Sequence, residues 1–215
     1  MVQKDKDPFL TASPPKRRGR PRAYEPDVAL GKALDLFRTQ GFAATSLDDL
    51  SEATGMNRPS LYGAFGDKRE LYIKSYRRYR DEARAAMAGI FRQDMPLRQR
   101  LERIFASALN IYLSGDSGPR GCFTVVTAAS EAVSDPEIRA MVQEGLTELD
   151  KAFANCFRRA REKGELPESA DPIALAQLAS ATIHTLAIRS RARVPRKELE
   201  AIVKGAIDVM VGAKS

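Results

Sequence analysis

The chain has 215 residues, of which 43% are hydrophobic, and its 35 Lys and Arg against 28 Asp and Glu leave a formal charge of +7. That content supports a packed core and excludes a disordered chain, while the positive balance suits a polyanionic partner. Two cysteines, Cys122 and Cys156, exclude a disulfide framework and agree with a cytoplasmic setting, and the absence of a roughly 20-residue apolar run or a signal-peptide core predicts no membrane partner.

Residues 1–24 carry seven Lys and Arg against two acids, with Pro8, Pro14, Pro15, Gly19 and Pro21 breaking any periodicity, which predicts a flexible basic tail. Within it, KRRGRPR from Lys16 to Arg22 resembles the core of an AT-hook. Gly19 and Pro21 keep a narrow, extended backbone between Arg18, Arg20 and Arg22, a shape that fits a minor groove. The alternative is a solvated basic tail that adds only non-specific affinity for phosphates. From Pro26 to Gln40, Ala29, Leu30, Ala33, Leu34, Leu36 and Phe37 repeat at helical spacing, and Gly41 ends the helix. Lys32 and Arg38 on this helix are read as ordinary solvated charges.

The stretch from Thr45 to Leu71, TSLDDLSEATGMNRPSLYGAFGDKREL, organises the rest. Ser46 with Asp49 three residues on predicts a capped helix from near Leu47, stopped by Gly55. Asn57 caps a second helix, with Pro59 in a first turn where its missing N–H is not needed, and this helix runs to about Phe65. Gly66 closes it and Asp67 caps a third. Leu47, Leu50 and Ala53 on the first piece, and Leu61 and Phe65 on the second, can share one small core. Two short helices about a tight Gly turn describe a helix-turn-helix.

Together with Phe37, Gly41, Phe42, Thr45, Leu61, Tyr62, Phe65, Asp67, Lys68 and Leu71, this pattern closely resembles the DNA-binding domain of TetR/AcrR-family transcriptional regulators over roughly Pro26 to Leu71. In a helix-turn-helix the second helix lies in the major groove, which makes Arg58 the candidate for base readout, with Asn57, Pro59 and Ser60 beside it. The resemblance implies that Thr45, Tyr62 and Lys68 contact phosphates. Where many members carry a bulky His or Tyr after the aromatic, this chain has Gly63 and Ala64. The expected domains are the tail (1–24), a helix-turn-helix domain (25–72) and a ligand-binding and dimerisation domain (73–215).

Downstream, Asp67 caps a long helix of about Lys68 to Arg92, with Leu71, Ile73, Tyr76, Tyr79, Ala83, Met87 and Ile90 as its apolar stripe and Arg77, Arg78, Arg80 and Arg84 on a solvated side. Helices follow from Pro96 to about Leu113, Cys122 to about Val133, Asp135 to Gly164, Asp171 to about Ala192 and Pro195 to near Ala213. An SGDSGPRG loop, Ser114 to Gly121, separates the first two of these. The fold class is all-α: a three-helix helix-turn-helix unit and a helical bundle, about nine helices in all.

Two expectations for the bundle rest on the resemblance. Leu175, Ala179, Leu186, Leu199, Ile202 and Ala206 on the last two helices are placed at a four-helix dimer interface, the alternative being intramolecular core. Phe105, Leu109, Tyr112, Cys122, Phe123, Val126, Phe153, Phe157, Leu178, Thr182 and His184 come from helices that surround a ligand cavity in the family. His184 is either a ligand hydrogen-bonding group or a structural histidine. Cys122 is either a sensor thiol or a small buried one.

The leading reading is therefore a dimeric repressor, released from a palindromic double-stranded DNA operator by a small-molecule effector, without a cofactor or metal. A sequence-tolerant architectural DNA-binding protein is the alternative, to be separated from it by competition binding. An enzyme finds no support: one histidine and two separated cysteines supply neither a metal set nor a nucleophile with its base, and no phosphate-binding Gly-rich loop occurs.

Overall fold

A computed structural model describes residues 25–115 and 118–213. Among these residues the fold is all helical: α1 (Pro26–Gln40), α2 (Leu47–Thr54), α3 (Arg58–Phe65), α4 (Lys68–Arg92), α5 (Leu97–Leu113), α6 (Ala129–Glu131), α7 (Pro136–Glu162), α8 (Pro172–Arg191) and α9 (Arg196–Val211). A π-helical turn, Thr124–Ala128, leads into α6. Arg18, Arg20 and Arg22 lie outside the described residues.

The boundaries follow local chemistry. Ser46 and Asp49 form a reciprocal capping box on α2, and Asp67 and Glu70 form another on α4. Between them the Asn57 side chain accepts from the Ser60 N–H at 2.9 Å, satisfying one of the free donors at the start of α3. Gly55 takes the left-handed conformation, φ 73°, that lets α2 stop and the chain turn into α3. Asp135 and Asp171 cap α7 and α8, each with a proline in the first helical turn.

Helix α4 joins the small three-helix unit to the bundle through an aromatic column. Tyr72 meets Phe37 of α1 and Phe42 edge-on, both with centroids 5.0 Å apart. On its other side Phe123 lies 5.1 Å from Tyr72, stacks on Tyr76 at 5.2 Å and touches Tyr79 at 5.8 Å. The π-turn threonines fix this column: Tyr72 Oη and Thr127 Oγ1 share a hydrogen bond of 2.8 Å, and Tyr76 donates to Thr124 Oγ1 at 3.2 Å. Losing so large a buried ring as Phe123 would cost about 3–5 kcal/mol.

Ionic contacts reinforce the same junction. Arg69 of α4 pairs with Asp135 and Glu137 at the start of α7, and Arg77 also reaches Glu137. The α4 arginines, expected on a plain solvated side, are instead engaged: Arg78 donates to the Asp27 carbonyl, and Arg80 and Arg84 share Glu148. Arg38 is a fuller correction. It is 6% exposed and buried between α1 and the bundle, because backbone carbonyls and an aromatic face there substitute for water around its guanidinium.

The remaining core lies between α5, α7 and α8, with α7 and α8 making the most extensive helix contact. Phe105, Phe153 and Phe157 are fully buried there, and Phe91 packs edge-on against Phe153 at 5.4 Å. No helix among the described residues is long and apolar enough to cross a membrane.

Candidate nucleic-acid interface and effector cavity

Helix α3 divides sharply between its two sides. Leu61 and Phe65 are buried beside Leu50 and Met56, whereas Asn57, Arg58, Pro59, Tyr62 and Gly63 are exposed. A Cβ at Gly63 would meet nothing within 4 Å, so this stretch of α3 is open along its outer face. The opening turn thus offers a guanidinium, a hydroxyl and backbone donors, with the recognition helix of a helix-turn-helix held from behind by apolar packing.

Arg58 is held in the free protein. Its Nε donates to Asp48 Oδ1 at 3.0 Å and Nη2 to Oδ2 at 2.6 Å, a two-point pair that raises the arginine pKa through hydrogen bonding first and charge second. Lys68, half-buried at the start of α4, sits over the Phe42 ring with Nζ 4.4 Å from its centroid. Tyr62 is 49% exposed on the same side as the α3 start. Thr45 departs from the expected phosphate contact: it is buried, and its hydroxyl donates to the Gly41 carbonyl at 2.6 Å, which braces the turn into α2.

A cavity of about 360 Å³ opens between α4 and α7 and reaches α5 and α8. Its walls are mainly Tyr79, Ala83, Met87, Phe91, Leu149 and Ile183, with Arg80, Arg84 and Glu148 among its charged groups. Such an apolar chamber with a few polar points is the usual form of a small-molecule site. Of the residues expected to line it, Tyr112, Cys122 and His184 do so. Phe105, Phe153 and Phe157 instead fill the α5–α7–α8 core, and Phe123 belongs to the aromatic column. Leu109 faces a groove between α5 and α9, Thr182 bonds to the Leu178 carbonyl, Leu178 is 40% exposed, and Val126 packs at Gly121.

The polar end of the cavity is a small cluster. The hydroxyls of Tyr79 and Tyr112 are pushed well above the usual tyrosine range by burial first, and the neighbouring Cys122 side chain adds to the shift. His184 makes no hydrogen bond to a described residue, and burial lowers its pKa, partly offset by the charge of Asp150. Among the described residues no group of three His, Cys, Asp or Glu side chains is placed to hold a metal ion.

Sequence periodicity missed the largest part of this cavity. Tyr79, Ala83 and Met87 read as an ordinary apolar stripe, and Gly145 and Ala152 of α7, which also line the cavity, bring too little side-chain volume to fill the space between the helices. The dimer expectation also needs correction. Ala179, Leu186 and Leu199 are fully buried within the protomer, because α8 and α9 turn those faces onto α5 and α7, while Leu175, Ile202 and Ala206 are half-buried. The outward faces carry Ile173, Leu178 and Ile188 on α8 and Val209 on α9.

Comparison with known proteins matches this geometry. Residues 29–74 match the family of bacterial regulatory proteins of the tetR type, and residues 98–206 match the tetracyclin repressor-like C-terminal domain. The chain is 31% identical over 177 residues to the HTH-type transcriptional repressor ComR of Escherichia coli K12, spanning 82% of this chain and 84% of that one. It is 34% identical over 121 residues to the repressor BdcR of the same organism, spanning 56% and 59%. A solved structure of the TetR-family regulator CifR, as a cysteine mutant complexed with a 26-base-pair double-strand operator, superposes with a TM-score of 0.75 at 30% identity over 87% of this chain and 98% of that one. The all-helical fold, the outward-facing recognition helix and these matches over both regions lead to one conclusion: the chain belongs to the TetR family and is a DNA-binding transcriptional regulator.

Proposed function

We propose that the protein acts as a homodimeric repressor in the cytoplasm, seated on a two-fold symmetric operator and released when a largely apolar small molecule fills the α4–α7 cavity. The observation that carries this reading is the division of α3, whose Leu61 and Phe65 side is packed while its Asn57–Ser60 turn faces outward in a family of DNA-binding regulators. Ala201, Gly205 and Val209 repeat every four residues on the outer side of α9, and Ala174, Leu178, Ala181 and Ile188 follow helical spacing on α8. The Ala and Gly among them let the helices of a second copy approach closely and Leu178, Ile188 and Val209 supply apolar surface, so these faces replace the buried positions as the dimer contact.

A dimer sets the spacing of two α3 helices, and half-sites must then lie one helical turn or a multiple apart. A ligand that binds one arrangement of the bundle better than another shifts that spacing, and its affinity is reciprocally linked to that of DNA. Sequencing of duplexes selected by the purified protein tests the reading. It predicts enrichment of a pair of inverted half-sites; recovery of random sequence would overturn it.

A further inference from the structure

Arg38 is, with Arg100, one of two buried arginines among the described residues. It stands in the last turn of α1, on the DNA-binding side, yet its guanidinium enters the bundle. Nη2 donates to the Gly121 carbonyl at 2.7 Å and to the Ile111 carbonyl at 3.2 Å, and Cζ lies 5.1 Å from the centre of the Tyr79 ring. Its Nε is fully buried without a hydrogen-bond partner. An arginine so placed loses much of its hydration, and only a fixed geometry of carbonyls and ring compensates it.

Every one of those contacts belongs to the cavity wall or adjoins it. Tyr79 and Ile111 line the cavity directly, and Gly121 precedes Cys122, which also lines it. The Gly121 segment has little room to adjust: its N–H donates to the Tyr112 carbonyl at 3.0 Å, its φ is 66°, and a Cβ there would come within 2.8 Å of Val126. A molecule that moves Tyr112 or Cys122 therefore moves the carbonyls that hold Arg38.

The rest of the α1 end is gripped from the same side. Arg191 of α8 donates to the Arg38 carbonyl at 2.5 Å and to the Thr39 carbonyl at 2.6 Å, satisfying acceptors that a helix terminus leaves free, and Arg120 pairs with Asp35. Because Phe37, one residue from Arg38, packs on Tyr72 and lies in the core beneath α2, a shift of this turn carries the helix-turn-helix with it.

From this arrangement we infer that Arg38 is the positioning residue that couples occupancy of the cavity to the orientation of the DNA-binding unit, a reading that rests on the cavity being the effector site. It touches neither DNA nor ligand. Its contribution is to make two bodies share one geometry, so that the Ile111–Gly121 carbonyl pair and α1 move together.

The test is a linkage measurement on the full chain with N-phenyl-1-naphthylamine, an uncharged apolar fluorophore, as the cavity probe and a selected duplex as DNA. The affinity of each is measured alone and in the presence of the other, for wild type, Arg38→Met and Arg38→Lys, with thermal unfolding recorded for all three. In wild type, saturating probe should weaken DNA binding between about 5- and 150-fold. In Arg38→Met that factor should fall below about 2, while probe affinity alone changes less than about 3-fold; Arg38→Lys, which keeps a charged donor of different shape, should restore part of the coupling. Should Arg38→Met not fold, Arg38→Gln replaces it in the same comparison.

Retention of the wild-type coupling factor in a folded Arg38→Met would overturn the inference and leave the cavity reading standing, as would probe that binds wild type with no effect on DNA. Failure of the probe to bind wild type, or its binding undiminished by Ala152→Phe in the cavity wall, would remove the cavity reading itself and the inference with it.

Discussion

Arg58 and Asp48 are paired across the helix-turn-helix, guanidinium edge to carboxylate, through bonds of 3.0 and 2.6 Å. Both side chains are more than half exposed, so water screens the pair and it is weak enough to exchange. The same fork that grips a carboxylate at two points can grip the O6 and N7 of guanine, so under the proposed function Asp48 holds Arg58 in the free protein and exchanges it for a base edge on DNA.

Asp48→Asn should therefore tighten binding to all duplexes by a few-fold, since a negative charge is removed beside the phosphates and Arg58 is freed. Arg58→Ala should lose about ten-fold or more on the selected site and discriminate less at one base pair of each half-site. Titrations against the selected duplex and its single-base variants separate the two effects. Equal losses on every sequence for Arg58→Ala would remove it from base readout.

Lys68 offers the contrasting case. Its ammonium lies over Phe42 at the first turn of α4, where the helix N-terminus also favours an anion. Lys68→Ala should weaken all duplexes alike and lower the slope of log affinity against log salt by about 1. An unchanged salt slope would place no phosphate there.

Stability at low pH should depend on Asp135. The Arg69 guanidinium, through hydrogen bonding first, holds its carboxyl down to about 2, against 3.8 for an ordinary aspartate. A depressed folded pKa adds stability that is complete above 3.8 and is lost as pH falls toward 2. Asp135→Asn keeps an N-cap acceptor on α7 and removes the pair, so its melting temperature should be lower than wild type by roughly 2–4 °C at pH 7, a gap that closes between pH 4 and 2. Melting curves across that range check it; a constant gap would show that Arg69 adds nothing through charge.

His184 titrates the other way. Burial lowers its pKa below 6.5, so the folded state favours the neutral ring, and its contribution to stability is present above 6.5 and falls as pH drops below it. His184→Phe should flatten that portion of the pH–stability profile. The same variant removes the cavity's imidazole and should alter the affinity for apolar ligands that carry a hydroxyl or carbonyl group more than for N-phenyl-1-naphthylamine.

On the outer bundle face, Val209→Glu should convert a dimer to monomers at micromolar concentration, because an isolated carboxylate would be buried against a second copy. Sedimentation reads the mass directly. A dimer that survives the change would move the contact elsewhere.

Local signals were the legible ones. Ser46, Asn57 and Asp67 announce helix starts within a turn of themselves, and Gly55 and Gly66 announce stops, so the helices through α4 could be placed almost to the residue. Periodicity also names the inward side of a helix with a single apolar stripe. It does not say what that side meets: Phe153 and Tyr79 have the same apolar signature, yet one packs in the core and the other faces a cavity. Arg38 was illegible for a related reason, since an arginine in the last turn of a helix normally points into water, and only the approach of Ile111 and Gly121 from 73 and 83 residues away buries it. Ala179 and Leu199 were misplaced because α8 and α9 each have two apolar sides, one inside the protomer and one outside.

The central claim is that Arg58 reads a guanine from the major groove. Replacing individual guanines of the selected site by 7-deazaguanine removes one major-groove acceptor and leaves base pairing intact. The account predicts that one such replacement per half-site weakens wild type several-fold and leaves Arg58→Ala unaffected; wild-type binding indifferent to every replacement would contradict it.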